Sequence, residues 1–307
     1  MQLDLFEQPG SNGRVGYSRR MTLRGADENQ GARIRMRVGR YIAPLGAWLI
    51  ALSAAQVSAA AVGRECPVTA RAVYAVDQSS GKVLCAKNAR LKLYPASTVK
   101  LMTALVVLDR SDVKEEVLVS SRAANVEPTR AGLAAGTSHS VGELLEVLLA
   151  ASANDAAVAL AEAVAGSEVE FAALMNIKAR QLGMQDSQFT NATGLPNRFQ
   201  RSSARDLAIL TRTAFAHPFI KMVMAKKRVT ITGSDGRTIS RVNHNKLLWR
   251  LDRPQVLGKT GYTRSAQHCY AGMAYYDDRR VSLVILKSRK PWSDIFSVLG
   301  VPRNTKR

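Results

Sequence analysis

The sequence predicts an α+β fold in which an antiparallel sheet is built from both chain ends, with flanking helices and an inserted helical lobe at about 110–225. Three observations predict it. Alternating residues from 69 to 85 read as a strand pair, the middle of the chain repeats at helical spacing, and several further strands precede a last helix. Strands grouped at the two ends with helices between them fit this arrangement better than a doubly wound parallel sheet.

Each element has its own signal. Residues 69–76 alternate, Asp77 to Gly81 supplies turn residues and Lys82 to Cys85 the partner strand, which together make a β-hairpin. After Tyr94-Pro95-Ala96, the residues Val99, Met102, Leu105, Val106 and Leu108 recur at helical spacing, so a buried helix begins at or next to Ser97. Residues 140–166 carry Val141, Leu144, Leu145, Leu148 and Leu149, then an alanine-rich stretch. They read as two helices broken around Ser152-Ala153-Asn154. Helices follow at about 167–182 and 203–216, with Gly194 and Pro196 demanding a loop between them. Val229 to Thr232 and Thr238 to Val242 flank Gly233 to Gly236 as a second hairpin. Residues 256–262, 269–276 and 281–287 are further strands, the last two joined at Asp277-Asp278, and a helix covers about 292–299.

Composition narrows the function. The chain has 307 residues and 46% apolar content, enough for a large core, which excludes a disordered tail and a disulfide-dense mini-domain. Residues 1–35 form an unusually long polar N-terminus: either the true start is Met36 or the region ahead of the basic flank is extended in length. Residues 36–60 have the order of a secretory signal peptide: Arg33, Arg35, Arg37 and Arg40 precede an apolar run, and Val57-Ser58-Ala59 or Ser58-Ala59-Ala60 forms a small-residue cleavage pattern. Cleavage near Ala59 or Ala60 is expected. The alternative is an uncleaved membrane anchor, since about 20 apolar residues span a bilayer, and membrane attachment is expected only in that case. Arg64 and Glu65 argue against lipid attachment at Cys66.

The formal charge is +20. Removing residues 1–60, with 8 basic and 4 acidic side chains, leaves 36 against 20, a net +16. An exported basic protein meets no nucleic acid, so the charge favours an anionic envelope polymer or membrane surface. Of Cys66, Cys85 and Cys269, the first two would close a short loop around the first hairpin. Three free buried thiols is the reading the residues favour over that pairing. The histidines 139, 217, 244 and 268 are scattered without metal-ligand spacing, so no metal and no cofactor is expected.

Three short clusters carry chemistry. A Ser three residues before a Lys on a helix shares a face with it, and the amine can take the hydroxyl proton if burial and nearby cations lower its pKa. Ser79, Ser97 and Ser111 each have such a Lys. Ser79 lies in a turn and Ser111 beyond a helix end, while Ser97 opens an apolar helix whose free N–H groups favour developing negative charge. A plain helix cap is its bland reading. Ser152-Ala153-Asn154 is the one Ser-x-Asn, in a break between helices, where an ordinary turn is the alternative. Lys259-Thr260-Gly261 lies on a strand where Gly258 and Gly261 permit close backbone approach.

In this order the clusters resemble the D-alanyl-D-alanine carboxypeptidases, the low-molecular-mass penicillin-binding proteins or serine DD-peptidases. Pro95 to Lys100, Ser152 to Ala157, Asn191 to Pro196, Ser203 to Asp206, Asn243-His244-Asn245 with Leu247, and Gly258 to Thr263 carry the resemblance, over roughly 68–300. It implies a β-lactamase/transpeptidase-like fold and a catalytic domain at 61–307. It implies Ser97 as the nucleophile forming an acyl-enzyme, Lys100 as its base and Ser152 as a proton relay. Asn154, Lys259, Thr260, Gly261 and Tyr262 would bind substrate, with Lys259 also lowering the pKa of Lys100. The backbone N–H groups of Ser97 and Tyr262 would form the oxyanion hole, and Lys100 would activate the deacylating water. The implied partners are peptidoglycan stem peptides and β-lactams as covalent inhibitors, on the exported side of the membrane.

Many members carry a second β-rich domain and an amphipathic membrane helix, whereas this chain ends about 46 residues after Gly261. The expectation is therefore a short form without C-terminal anchoring, closer to members that cut cross-links, so carboxypeptidase and DD-endopeptidase both stand. A serine β-lactamase would place a Glu in the loop before the third cluster, and residues 183–196 contain none. A non-catalytic penicillin-binding sensor would lack one of the reactive residues, and all are present.

Overall fold

The computed structural model describes residues 66–251, 255–276 and 279–301. The expected signal segment at 36–60, its cleavage sites and the Asp277-Asp278 turn lie outside these described residues. Strands β1 (Ala72–Asp77) and β2 (Val83–Lys87) form the first hairpin. A 3₁₀ turn, Ala96–Val99, leads into α1 (Lys100–Leu108). The middle holds β3 (Glu116–Leu118), α2 (Ser121–Ala124), β4 (Ser138–Ser140), α3 (Val141–Ala150), α4 (Asn154–Ala165), α5 (Glu168–Gln181), α6 (Ala204–Ala216) and α7 (Pro218–Ala225). Then come the hairpin β5 (Arg228–Thr232) and β6 (Thr238–Val242), strands β7 (Gln255–Thr263), β8 (Gln267–Tyr276) and β9 (Arg279–Ser288), and α8 (Pro291–Leu299).

The main sheet has the order β2-β1-β9-β8-β7, with every neighbour antiparallel. The first and last described strands of the chain, β1 and β9, pair with Ala72 opposite Leu286 and Asp77 opposite Val281. Alternation decides what each face buries. Ala72, Val284 and Leu286 join the core formed with α1, α3, α4 and α6, while Val73, Leu283 and Ile285 pack against Ile295, Phe296 and Leu299 of α8. Because both faces are covered, β9 is an unbroken apolar run from Val281 to Leu286 apart from the buried Ser282.

Local signals set the helix starts. Ser140 and Glu143 form a reciprocal capping box on α3, and the side chains of Ser167 and Ser203 accept the N3 amides of α5 and α6. The hairpin β3–β4 and helices α2 and α7 are additions to the sequence reading. Three-residue strands and a four-residue helix are too short to show a period, and His217-Pro218 caps a new helix one step after α6 ends.

The cysteines correct an expectation. Cys66 and Cys85 form a disulfide with their Cα atoms 5.8 Å apart, and Cys269 alone is a free buried thiol among the described residues. A second tie joins β2 to the segment before β1, where Lys87 Nζ donates to the carbonyl of Val68 at 3.2 Å. Sequence spacing alone carries no sign of that return.

Candidate active site

The Ser97 turn is held from two sides by glycines. A Cβ on Gly261 of β7 would lie 2.9 Å from the Ser97 amide nitrogen, and one on Gly194 would lie 2.2 Å from the Ala96 carbonyl oxygen. Gly194 also has φ +84, a left-handed backbone that side-chain-bearing residues avoid. Only glycine allows the edge strand and the loop 191–196 to close so tightly on this turn. Ala96 itself has φ 49, and Ser152, in the break between α3 and α4, has φ 63. Such backbones cost about 1–3 kcal/mol each and persist where surrounding structure enforces them.

Lys100 lies one turn from Ser97, fully buried. Its Nζ is 3.2 Å from Ser97 Oγ, 2.6 Å from Asn154 Oδ1 and 2.5 Å from the carbonyl oxygen of Thr193. Burial holds the amine well below the usual lysine range, and the charge of Lys259 pushes it further down, while Asp155 and Glu168 act in the opposite sense. A neutral amine has two N–H donors and one lone pair. The two short contacts are to oxygens that can only accept, so they take both N–H groups. The lone pair is left for the Ser97 hydroxyl, the arrangement a base needs.

Lys259, on β7, is also buried, donates to the carbonyl of Thr260 at 2.9 Å, and is lowered by desolvation to about 7. Asn154 is occupied on both sides. Its Oδ1 accepts from Lys100, its Nδ2 donates to the Glu127 carbonyl at 2.8 Å, and its backbone amide bonds Thr129. Next to it, the buried carboxylate of Asp155 accepts the amides of Ala131, Gly132 and Leu133, which fastens the 125–137 loop to the start of α4.

A cleft of about 330 Å³ opens over Ser97. Ser97, Ser152, Thr260, Gly261 and Tyr262 line it, together with Thr129, His244, Lys246, His268 and Trp292. Of the eight residues singled out in the sequence, five therefore meet in this cleft, while Lys100, Asn154 and Lys259 stand buried outside its lining. Asn154, to which the resemblance assigns the substrate, also holds Lys100 through its Oδ1 while its Nδ2 donates to Glu127. The Tyr262 ring, 62% exposed, packs against His268 with centroids 4.7 Å apart at the rim. His244 is solvent-exposed at the rim yet partly desolvated there. This, with Lys259 and Lys100 nearby, lowers its imidazole to about 4. Sequence reasoning assigned no role to His244, Thr129, Lys246 or the Thr193 carbonyl. His244 and Thr193 do fall in the short stretches noted above, and that was their one signal.

Residues 56–290 match the family model described as D-alanyl-D-alanine carboxypeptidase. The chain belongs to the D-alanyl-D-alanine carboxypeptidase family. It is 34% identical over 228 residues to D-alanyl-D-alanine carboxypeptidase DacF of Bacillus subtilis, covering 72% of this chain and 58% of that protein. It is 30% identical over 235 residues to the D-alanyl-D-alanine endopeptidase of Escherichia coli, covering 76% of each. The chain thus spans little more than half the length of some of these curated relatives. Among solved structures, a D-alanyl-D-alanine carboxypeptidase from Mycobacterium tuberculosis superposes with a TM-score of 0.72 at 30% identity, covering 78% of this chain and 93% of that one. The Streptomyces K15 DD-transpeptidase gives 0.71 at 26% identity, covering 77% and 98%. Both solved structures thus share the fold seen here.

Proposed function

We propose that this protein is a serine DD-peptidase that removes the terminal D-alanine from peptidoglycan stem peptides through an acyl-enzyme. The observation that carries the reading is the buried, charge-depressed amine of Lys100, 3.2 Å from Ser97 at the floor of the cleft. Ser97 Oγ attacks the carbonyl of the penultimate D-alanine as its proton passes to Lys100. The oxyanion forms against the amides of Ser97 and Tyr262. Collapse breaks the peptide bond, and Ser152 hands its proton to the departing D-alanine amine while taking the one Lys100 received, which leaves Lys100 neutral again. Water, deprotonated by Lys100, then cleaves the ester and returns the proton to Ser97. Thr260 and Lys259 favour the substrate carboxylate, and Asn154 orients Lys100. A β-lactam acylates the same hydroxyl and leaves slowly.

A second reading, cleavage of D-alanyl cross-links, draws support from the endopeptidase relatives, which the chain matches over 68% and 76% of their length. Incubation with pentapeptide and with cross-linked muropeptides, followed by product masses, separates the two. Free D-alanine is expected, and its absence with monomeric muropeptides formed instead would assign the endopeptidase. Absence of both products would overturn the peptidase reading.

Residues 36–60 we read as an export signal, which places the enzyme on the cell-wall side of the cytoplasmic membrane. Among the described residues no helix is long and apolar enough to cross a membrane. N-terminal sequencing of the exported form should begin at about residue 60 or 61, and an intact 41–55 segment in a membrane fraction would replace cleavage by anchoring.

A further inference from the structure

The loop 191–196 carries the Thr193 carbonyl to Lys100, and its middle is gripped from α5. Glu168, the first residue of that helix, turns Oε1 to the Ala192 amide at 3.1 Å. From α1, Thr103 Oγ1 donates to the Ala192 carbonyl at 2.7 Å. Both backbone groups of Ala192 are thus claimed, so the next carbonyl, that of Thr193, is delivered to Lys100 in one direction. Gln200 secures the flanks of the loop, where its Oε1 accepts the Thr190 amide at 3.0 Å and its Nε2 donates to the Leu195 carbonyl at 3.3 Å. The second oxygen of Glu168 faces outward. It pairs with Arg122 Nη2 of α2 at 3.1 Å, the Glu168 side chain being 14% exposed and that of Arg122 58%. Arg122 Nε also stands 4.0 Å from Glu162 of α4, which in turn accepts the hydroxyl of Ser120, the residue capping α2. A line of contacts therefore runs from an exposed guanidinium, through a partly buried carboxylate, to a loop that touches the amine beside Ser97.

We propose that Glu168 is a positioning residue for the reaction, which fixes the Thr193 carbonyl on Lys100 and sets against the charge of Lys259 a negative charge that Arg122 partly offsets. The proposal rests on the peptidase reading for what Lys100 does. Among the described residues, the charges acting on Lys100 are Lys259 of β7, Asp155 of α4 and Glu168 of α5, while His244 feels Lys100 from the rim. Asp155 is committed to the amides of residues 131–133, and Glu168 is the one joined to the surface by an ion pair. Burial and Lys259 together leave the amine a weak base. A nearby carboxylate favours its protonated form and so strengthens it. Arg122 offsets part of that charge, which couples an exposed ion pair to a buried base.

The test follows the Lys100 amine directly, by NMR of the protein carrying isotope-labelled lysine, with its resonance identified by its loss in Lys100→Arg. The rate of penicillin acylation is measured against pH beside it. Glu168→Gln keeps an oxygen for Ala192 and removes the charge. Its Lys100 resonance should titrate at lower pH than the parent's, and the acidic limb of acylation should move the same way, with the plateau rate within about threefold of the parent. Arg122→Gln, at an exposed position, should move both to higher pH. Glu168→Ala loses the bond as well, and its plateau should fall by at least about tenfold, the effect of one charge-assisted hydrogen bond. A role confined to folding would change the melting temperature and leave the titration where it was. The proposal is overturned by a resonance that does not move in Glu168→Gln, by movement in the same direction in both charge variants, or by a Glu168→Ala plateau equal to the parent's. If the parent takes up no penicillin at any pH, the peptidase reading falls, and the NMR titration still decides whether Glu168 acts on Lys100.

Discussion

Lys100 shows how much of the site depends on single atoms. Its two short bonds, to Asn154 and Thr193, consume the donors of a neutral amine and direct its lone pair to Ser97. In the proposed role the amine works only uncharged, so activity should rise as pH climbs through its pKa. Lys259 lowers that pKa, so Lys259→Gln should raise it and move the acidic limb of kcat/KM to higher pH, while Lys259→Arg should leave the limb near its original place. An unmoved limb in Lys259→Gln would remove Lys259 from this role. Asn154→Asp should act in the same direction more strongly, because it sets a carboxylate 2.6 Å from the amine and favours the ammonium. Penicillin acylation at neutral pH should then slow by at least about tenfold, one pKa unit being a factor of ten. The sequence showed Ser97, Lys100 and Lys259 through their spacing. It carries no sign that Asn154 Oδ1 accepts from Lys100, because which way an amide points depends on the Glu127 carbonyl, which a distant loop supplies.

At the scale of elements, the loop 191–196 is as much part of the site as α1. It delivers the Thr193 carbonyl to Lys100 and the Ala192 carbonyl to Thr103, at 2.7 Å, and it can do so only because Gly194 touches Ala96 without a side chain. Gly194→Ala should destabilise the fold by about 1–3 kcal/mol from its left-handed backbone alone. It should also slow acylation by displacing Thr193. Thermal melting and the rate of fluorescent penicillin labelling check the two effects, and a variant equal to the parent in both would show that the loop yields freely. Gly and Pro marked this loop in the sequence, and helical spacing marked α1 and α3. The β3–β4 hairpin left no mark, since its three-residue strands are fixed by tertiary contacts, among them the Val141 amide on Glu115.

Across the described residues, joining β1 to β9 makes the first and last strands one sheet, and the Cys66–Cys85 disulfide ties the outer edge of that sheet across a separation of 19 residues. A loop of this size contributes about 3 kcal/mol. Cys66→Ser with Cys85→Ser should therefore lower Tm by roughly 6–12 °C for a domain of this size. Labelling at 25 °C should persist, since the bond lies across the sheet from β7. Loss of labelling in a folded variant would tie the disulfide to the site. The sheet was legible because alternation and buried runs are local signals, and the disulfide was not, because it depends on a return of the chain that no local pattern records.

The proposed chemistry turns on one hydroxyl. Peptide mapping by mass spectrometry after penicillin treatment should place the acyl group on Ser97, and Ser97→Ala should take up none while keeping the parent's melting temperature. An adduct on any other residue, or labelling that persists in a folded Ser97→Ala protein, would contradict it.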